Sequence, residues 1–214
     1  FVENFEQRNE LGAACCIYYK GKKVVDLWGG IRNEITGEPW EEDTMVLVWS
    51  TTKGLSALAM ALAHSRGLFD YDAPVSKYWS EFAQNGKEKI TVRQLMAHQA
   101  GLFAFHELGD KEVLSDPDRL AVVLARQKPA WKPGTRHAYH ALTLGFYQSE
   151  LLRRVDPEER SLGLFFGNVL MSKCTEVWVF GSYISAGMKA EIDRAKRKNQ
   201  HIRYFTTTCK EVEL

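Results

Sequence analysis

The chain has 214 residues, of which 45% are hydrophobic, enough for one sizeable domain, or for one domain plus an appendage. Its 28 basic and 27 acidic residues nearly cancel to a formal charge of +1, which argues against a nucleic-acid or anionic-membrane partner. No apolar run reaches the roughly 18 residues that a membrane span needs, and because residue 1 is Phe1, the absence of a signal peptide says little about export.

The first part of the chain predicts a β-hairpin followed by a helix. Residues 12–30 contain an apolar run and then an alternating one, which indicates two strands joined by a turn at Lys20–Lys23. A polar connection and a short apolar run then lead to Ser50. From residue 51 to residue 66 apolar side chains recur at helical spacing, and Gly67 is a natural C-terminal stop. The predicted apolar stripe of this helix consists of Leu55, Leu58, Ala59, Leu62 and Ala63.

Three more helices are predicted before the chain changes character, at residues 90–102, 115–127 and 138–155. In the first, Thr91 is followed three positions later by Gln94, which is a capping-box pattern, and the helix is expected to end at Gly101. In the second, Asp116 is the expected cap and Pro117 stands at the first helical position.

Beyond about residue 167 the chain predicts a small α/β unit. A strand at 176–181 is followed by a basic, amphipathic helix at 185–199 and a second strand at 201–207. A compact strand–helix–strand unit favours a parallel pair with a right-handed crossover. The basic run Lys196, Arg197 and Lys198 is expected to be a solvated face of the helix.

The four cysteines, Cys15, Cys16, Cys174 and Cys209, do not form a CxxC or Cys/His pattern typical of a metal site. Cys15 and Cys16 are adjacent in a predicted strand and should point to opposite faces. We expect unpaired thiols of a reducing compartment, which favours the cytoplasm, and no metal or other cofactor.

Ser50 and Lys53 form the first pattern that carries chemistry. Residues three apart share one face of a helix, so Ser50-x-x-Lys53 on the first turn brings a hydroxyl beside an amine. A serine needs a base to become a nucleophile, and a desolvated amine can serve because burial lowers the pKa of lysine in general. The N–H groups of a helix N-terminus also favour an anionic intermediate. Without further support, the pair is an N-cap serine and a solvated lysine.

Tyr139 is the second candidate. It stands at a turn-to-helix junction, at the start of the helix predicted over residues 138–155, and a phenol beside a lysine ammonium ionises more easily and can relay a proton. Alone, such a tyrosine is more often an amphipathic core residue.

Together these motifs resemble the serine β-lactamase-related hydrolases, which include class C β-lactamases, penicillin-binding-protein-like enzymes and related carboxylesterases. The positions that match the family pattern, over about residues 10–166, are Ser50, Lys53, Gly67, Leu68, Asp70, Asp72, Pro74, Ile90, Thr91, Leu95, His98, Gly101, Leu102, Pro133, Gly134 and Tyr139.

The resemblance implies an α+β fold, in which a β-lactamase/transpeptidase-like helical lobe lies beside an antiparallel sheet. It implies a truncated domain at residues 1–166, followed by a strand–helix–strand appendage at 167–214. It further implies Ser50 as the acylated nucleophile, Lys53 as proton acceptor and Tyr139 as general base or proton relay. Tyr139 followed by His140 looks closest to the esterase-like branch. His98 is expected to be a packing or turn histidine, and His137 and His140 are expected to be solvent-exposed.

The chain departs from the family at its C-terminal part. Relatives continue well beyond this length and supply a third motif, Lys-Thr-Gly or His-x-Gly, on the strand that edges the site. Residues 167–214 contain no such motif. The strand carries the second oxyanion N–H, and loss of one such donor typically costs on the order of 10²–10³ in rate.

The tail looks like the end of a family related to nucleoside 2-deoxyribosyltransferases, with Gly187 and Glu191 in its G-x-x-x-E pattern. A solvated Glu191 is the simpler interpretation. The change of character near Phe166 and Gly167 therefore looks like a junction between two fragments.

Three functions stay open. The first is a serine hydrolase that cleaves a small-molecule ester or amide through acyl-Ser50, with small acyl esters favoured over β-lactams. The second is a non-catalytic, truncated or chimeric relative that keeps the helical lobe for binding. The third is a tail that handles a nucleoside or nucleotide. The sequence does not indicate an oligomeric state.

Overall fold

A computed structural model describes residues 1–105, 111–171, 174, 176–180, 186–205 and 211–212. The chain divides into two compact units, one of Phe1–Leu47, Trp178–Tyr183 and Arg203–Leu214 and one of Val48–Val177 and Ile184–Ile202. The division into domains at residues 1–166 and 167–214 stays a prediction. The elements are α1 Val2–Gln7, β1 Gly12–Tyr19, β2 Lys22–Asn33, β3 Glu38–Pro39, α2 Thr52–Ser65, α3 Val92–Met96, α4 Pro117–Arg126, α5 Thr143–Val155, α6 Leu162–Phe165, β4 Glu176–Phe180, α7 Ala186–Arg197, β5 His201–Phe205 and β6 Glu211–Val212.

The predicted hairpin is confirmed. Strands β1 and β2 pair antiparallel, with Cys15 opposite Leu27. The two turn residues, Lys20 and Gly21, have φ values of 49° and 77°, as the twist of a two-residue hairpin requires. Strand β2 runs beyond the predicted end and pairs with β3, so the first sheet has the order β1-β2-β3.

The C-terminal region contains the predicted strand, helix and strand as β4, α7 and β5. They belong to a second three-stranded sheet of order β4-β5-β6, in which β5 and β6 are antiparallel. A parallel arrangement of β4 and β5 stays a prediction. Lys196, Arg197 and Lys198 are exposed, as expected. None of the helices in the described ranges is long and apolar enough to cross a membrane.

Helix α2 occupies the predicted range, but its predicted apolar stripe is partly wrong. The side chains that it buries are Ala59, Met60 and Ala63, whereas Leu55 is 46% and Leu58 is 53% exposed. Since 3.6 residues make a turn, the two leucines lie on a flank of the helix that other elements of this unit leave uncovered.

The core of the larger unit is built around aromatic side chains. Trp79, Phe82 and Tyr147 are all at most 1% exposed, and their rings contact one another with centroids 5.3–6.4 Å apart. Helices α4 and α5 pack their apolar faces onto this cluster through residues such as Leu124 and Leu151. Burial of such large side chains is the main favourable term in folding, so the cluster fixes the frame on which α2, α3 and α5 stand.

Two predicted helices are shorter than the sequence pattern suggested. The capping box of α3 is confirmed, because Thr91 Oγ1 accepts the Gln94 N–H and Gln94 Oε1 accepts the Thr91 N–H, each at 3.1 Å. The helix nevertheless ends at Met96 and not at Gly101, because His98 takes a left-handed φ of 60°.

Helix α5 begins at Thr143, five residues later than predicted. The amide N–H groups of Ala138 and His140 donate to His98 and not to carbonyls of a helical turn. Tyr139 is therefore not in a helix, which corrects the prediction for residues 138–142. The α4 prediction is confirmed, and the Asp116 carboxylate accepts the N–H groups of Asp118 and Arg119 at 3.1 Å.

Candidate active site

Ser50 lies in a single helical turn, Trp49–Thr51, that leads directly into α2. Its side chain is exposed, as a residue that meets a substrate must be. Trp49, immediately before it, has a φ of 42°, which is a strained value for a bulky residue. Strained backbone of this kind clusters at functional sites, where the surrounding structure fixes it.

Lys53 lies one turn after Ser50 on the same face of α2. Its Nζ donates to Ser50 Oγ at 3.1 Å and to the Ala141 carbonyl at 2.7 Å. The second bond ties the lysine to the segment that precedes α5, so two distant parts of the chain meet at this amine. The side chain is half-buried.

Tyr139 completes the group of three predicted site residues. The centroid of its ring lies 4.7 Å from Lys53 Nζ, within the range of a cation–π contact. Hydrogen bonding with Ser50, and then with Lys53, lowers the pKa of the Tyr139 phenol from its ordinary value of 10. The phenol is 55% exposed. Ser50, Lys53 and Tyr139 are thus brought together in one unit of the chain.

His98 lies beneath this group, and its predicted place in a turn is confirmed. Its carbonyl accepts the Ala138 N–H at 3.2 Å, and its ring Nδ1 accepts the His140 N–H at 2.9 Å. Its ring centroid is 5.2 Å from that of Tyr139 and 5.1 Å from that of His140. Burial, followed by the charges of Lys53 and His137, lowers the pKa of His98 below 6.5.

His140 contradicts the expectation of exposure, because it is completely buried. Neither ring nitrogen has a hydrogen-bond partner among the described residues. Burial, followed by the nearby His98, lowers the pKa of His140 to about 4, so the ring is neutral at ordinary pH. No pattern in the sequence distinguished His140 from an exposed neighbour. His137 is exposed, as expected, and its Nε2 lies 3.2 Å from Gln99 Nε2.

The predicted turn at Pro133 and Gly134 returns the chain to the site. Gly134 has a φ of 83°, which favours glycine, and a Cβ there would lie 2.7 Å from Gln94 Nε2, so the amide end of Gln94 would have to shift. Its N–H donates to the Gln99 carbonyl at 3.0 Å. The turn thereby holds the start of the Tyr139 segment against the loop that follows α3.

A cavity of about 300 Å³ adjoins the lysine. It is lined by Lys53, Gly54, Ala57, Met60, Tyr71, Met96, His98, Leu144 and Gln148. Most of these side chains are apolar, which suits an uncharged group better than an ion. Within the described ranges, no group of three His, Cys, Asp or Glu side chains could hold a metal ion. Glu191, which the tail's resemblance singles out, lies in α7.

Comparison with known proteins gives consistent matches. The family model described as Beta-lactamase matches residues 1–178. "Esterase/beta-lactamase LipL" from Mycobacterium tuberculosis is 38% identical over 165 residues, which are 76% of this chain and 37% of LipL. The chain therefore spans little more than a third of the length of that relative.

Two solved structures extend the match to the fold. A family VIII carboxylesterase is 37% identical with a TM-score of 0.66, over 90% of this chain and 52% of that one. A penicillin-binding protein homologue from Caulobacter crescentus is 34% identical with a TM-score of 0.69, over 90% of this chain and 50% of that one. The predicted α+β architecture of a helical lobe with an antiparallel sheet is confirmed by these likenesses. The resemblance of the tail to nucleoside 2-deoxyribosyltransferases stays a prediction.

Proposed function

The chain belongs to the beta-lactamase family, and from this premise we propose that it acts as a serine hydrolase, with Ser50 as the acylated nucleophile. The substrate we propose is a small-molecule ester or amide. The observation that carries the proposal is the 3.1 Å distance between Lys53 Nζ and Ser50 Oγ, beside the phenol of Tyr139. A proton-transfer group must lie within about 2.6–3.2 Å of the hydroxyl or reach it through one water; Lys53 lies within this range, and the Tyr139 phenol is also hydrogen-bonded with Ser50.

The proton-transfer roles follow from the donors and acceptors in the site. Lys53 Nζ lies within hydrogen-bond distance of both Ser50 Oγ and the Ala141 carbonyl, and a carbonyl can only accept, so the amine donates to Ala141. Because its pKa is lowered, the Tyr139 phenol loses its proton more readily than an ordinary tyrosine. The resulting phenolate can then accept a proton. We therefore assign the general base to Tyr139 and the electrostatic support of its phenolate to Lys53.

In the proposed reaction Ser50 Oγ attacks the carbonyl carbon of the ester while its proton passes to Tyr139. The tetrahedral oxyanion collapses, the leaving alcohol takes that proton, and an acyl-Ser50 ester remains. Water then attacks this ester with proton transfer to Tyr139, and as the acid leaves, Tyr139 returns that proton to Ser50 Oγ. The first N–H groups of a helix have no intrahelical acceptor, so the Ser50 N–H is a suitable donor for the oxyanion.

Esters are favoured over β-lactams as substrates. The name of LipL contains esterase as well as beta-lactamase, and the solved structure that is 37% identical with a TM-score of 0.66 is a carboxylesterase. Tyr139 is followed by His140, which is the pattern of the esterase-like branch that the sequence resembles. The apolar cavity beside Lys53 also suits an uncharged acyl group.

A non-catalytic role is the second candidate, and one specific observation favours it. Residues 167–214 contain neither Lys-Thr-Gly nor His-x-Gly, the third motif of the family pattern. In the family pattern that motif carries the second oxyanion donor, and loss of one such donor typically costs on the order of 10²–10³ in rate. The handling of nucleosides by the tail is the third candidate, and it depends on one strand–helix–strand unit.

Covalent labelling tests the first proposal against the second. The chain is incubated with a fluorophosphonate probe and with p-nitrophenyl butyrate, and its intact mass is measured. We expect a single adduct and ester turnover for the native sequence, and neither for Ser50→Ala. Ser56→Ala is the matched control, because Ser56 lies on the same helix and its hydroxyl donates to the Lys53 carbonyl. A folded chain without adduct or turnover would favour the non-catalytic role.

A further inference from the structure

Residues on both sides of Tyr139 are hydrogen-bonded to one residue, His98. The Ala138 N–H donates to the His98 carbonyl, and the His140 N–H donates to His98 Nδ1, at 3.2 and 2.9 Å. Tyr139 is the single residue between these two amides. Because it is not in a helix, no helical hydrogen bonds fix its backbone. Its position relative to Ser50 and Lys53 depends on these contacts and on the bond from Lys53 to the Ala141 carbonyl.

The geometry requires one particular form of the His98 ring. A neutral imidazole has one donor and one acceptor nitrogen, whereas a protonated imidazolium has two donors. Since Nδ1 accepts the His140 N–H, the ring is neutral and its proton lies on Nε2. Protonation of His98 would therefore break this bond and place a second cation near Lys53.

We propose that His98 is a positioning residue for Tyr139, and that its neutral ring is required to hold the phenol beside Ser50 and Lys53. The proposal rests on the proposed function, since it deepens the role of Tyr139 as the general base. The ring of His98 also supports the phenol by direct contact, with centroids 5.2 Å apart. The left-handed φ of 60° at His98 allows the carbonyl and the ring of one residue to reach both amides.

Two of the charged and titratable groups around His98, Lys53 and His137, oppose its protonation by their charge. Lys53 faces it from α2, and His137, Tyr139 and His140 face it from the segment before α5. Burial and the charges of Lys53 and His137 keep the pKa of His98 below its ordinary value, so the neutral ring persists into mildly acidic solution. Activity should then fall with acidification when His98 takes up its proton.

Two substitutions at His98 separate the effect of its Nδ1 hydrogen-bond acceptor from the effect of its aromatic ring. The variant His98→Asn offers an amide Oδ1 where the histidine offers Nδ1, and asparagine tolerates a positive φ and does not titrate. His98→Phe keeps an aromatic ring but removes the acceptor. For p-nitrophenyl butyrate hydrolysis we expect His98→Phe to lose on the order of 10²-fold in kcat with little change in KM, because misplacement of a catalytic group by about 1 Å has that effect.

His98→Asn should recover most of this kcat, and the acidic limb of its pH profile should be flatter than that of the native chain. His137→Asn is the matched control, because His137 is an exposed neighbour whose ring lies against Gln99 and not against Tyr139. It should keep a native kcat and a steep acidic limb, shifted toward higher pH because the variant removes a charge that lowers the pKa of His98. A native kcat for His98→Phe, or an unchanged acidic limb for His98→Asn, would overturn the proposal.

A measurement without turnover keeps the proposal separate from the proposed function. In ¹⁵N-histidine NMR the signals of His98, assigned by their loss in His98→Asn, should show the Nε2–H form at neutral pH. In ¹³Cζ-tyrosine NMR the Tyr139 signal, assigned with Tyr139→Phe, should move in His98→Phe and stay in His98→Asn. If the native chain has no esterase activity but these signals behave as expected, the proposed function fails and the positioning by His98 stands. A proton on Nδ1, or a Tyr139 signal that is the same in all His98 variants, would refute the positioning itself.

Discussion

At the scale of single residues, the buried ring of His140 links stability to pH. Its pKa is about 4 in the folded chain and near the ordinary 6.5 in the unfolded one. Between these values the unfolded chain binds more protons, so the free energy of unfolding falls as the pH is lowered from about 6.5 to about 4. The difference between the two pKa values corresponds to on the order of 3 kcal/mol in the free energy of unfolding.

We therefore expect His140→Leu to flatten the acid dependence of the free energy of unfolding, measured by urea unfolding at pH 4–8. At pH 7 the variant should be as stable as the native chain or more so, because the ring nitrogens have no partner to lose and the backbone N–H that binds His98 remains. His137→Leu, at an exposed position, should leave the slope in place. An equally steep slope for His140→Leu would show that other groups govern acid unfolding.

At the scale of elements, the capping box of α3 fixes where the helix starts and hence where His98 lies. Thr91→Ala removes the side-chain acceptor of the Gln94 N–H, and we expect it to lower the free energy of unfolding by about 1 kcal/mol. Thr91→Ser keeps the oxygen and should retain most of that stability. Denaturant unfolding of the three chains gives the comparison, and equal losses for the two variants would attribute the effect to the lost methyl group.

Helix starts could be predicted from the sequence because their signals are local. Thr91 bonds with Gln94, and Asp116 with Asp118 and Arg119, within one turn, and the structure contains both caps. The end of α3 and the start of α5 could not be predicted in this way. They depend on bonds between His98 and residues about forty positions away, which no local spacing encodes.

At the scale of the whole molecule, Lys87 joins distant parts of the larger unit. It is completely buried, and its Nζ donates to the carbonyls of Gln84, Ala125 and Gln127 at 2.7–2.9 Å. Two of these carbonyls belong to the C-terminal end of α4, where a cation is favoured by the helix dipole. Burial lowers the pKa of Lys87 to about 8, so the amine is mostly charged at neutral pH.

Lys87→Met would remove the ammonium donor that three carbonyls share, of which that of Gln84 keeps the Lys87 N–H, and we expect it to lower the free energy of unfolding by about 3 kcal/mol. Lys89→Met, at an exposed position two residues later, should change it by less than about 0.5 kcal/mol. Thermal and urea unfolding followed by circular dichroism measure both. A Lys87→Met chain as stable as the native one would mean that the three carbonyls find other donors.

The candidate site could be predicted only in part from the sequence. Helical spacing alone brings Ser50 and Lys53 together, because both lie on one turn. Tyr139 could be joined to them only through family resemblance, since its approach depends on tertiary contacts such as that of Lys53 with the Ala141 carbonyl. The burial of His140 could not be predicted, because it follows from how the segment before α5 packs.

The bond between the Ala138 amide and the His98 carbonyl has a consequence for directed evolution. Both atoms of this hydrogen bond belong to the main chain, so the bond does not depend on the identity of the side chain at position 138. A library that randomises this position can therefore sample substrate preference next to Tyr139 without loss of the contact. Proline is the exception, because it has no N–H to donate.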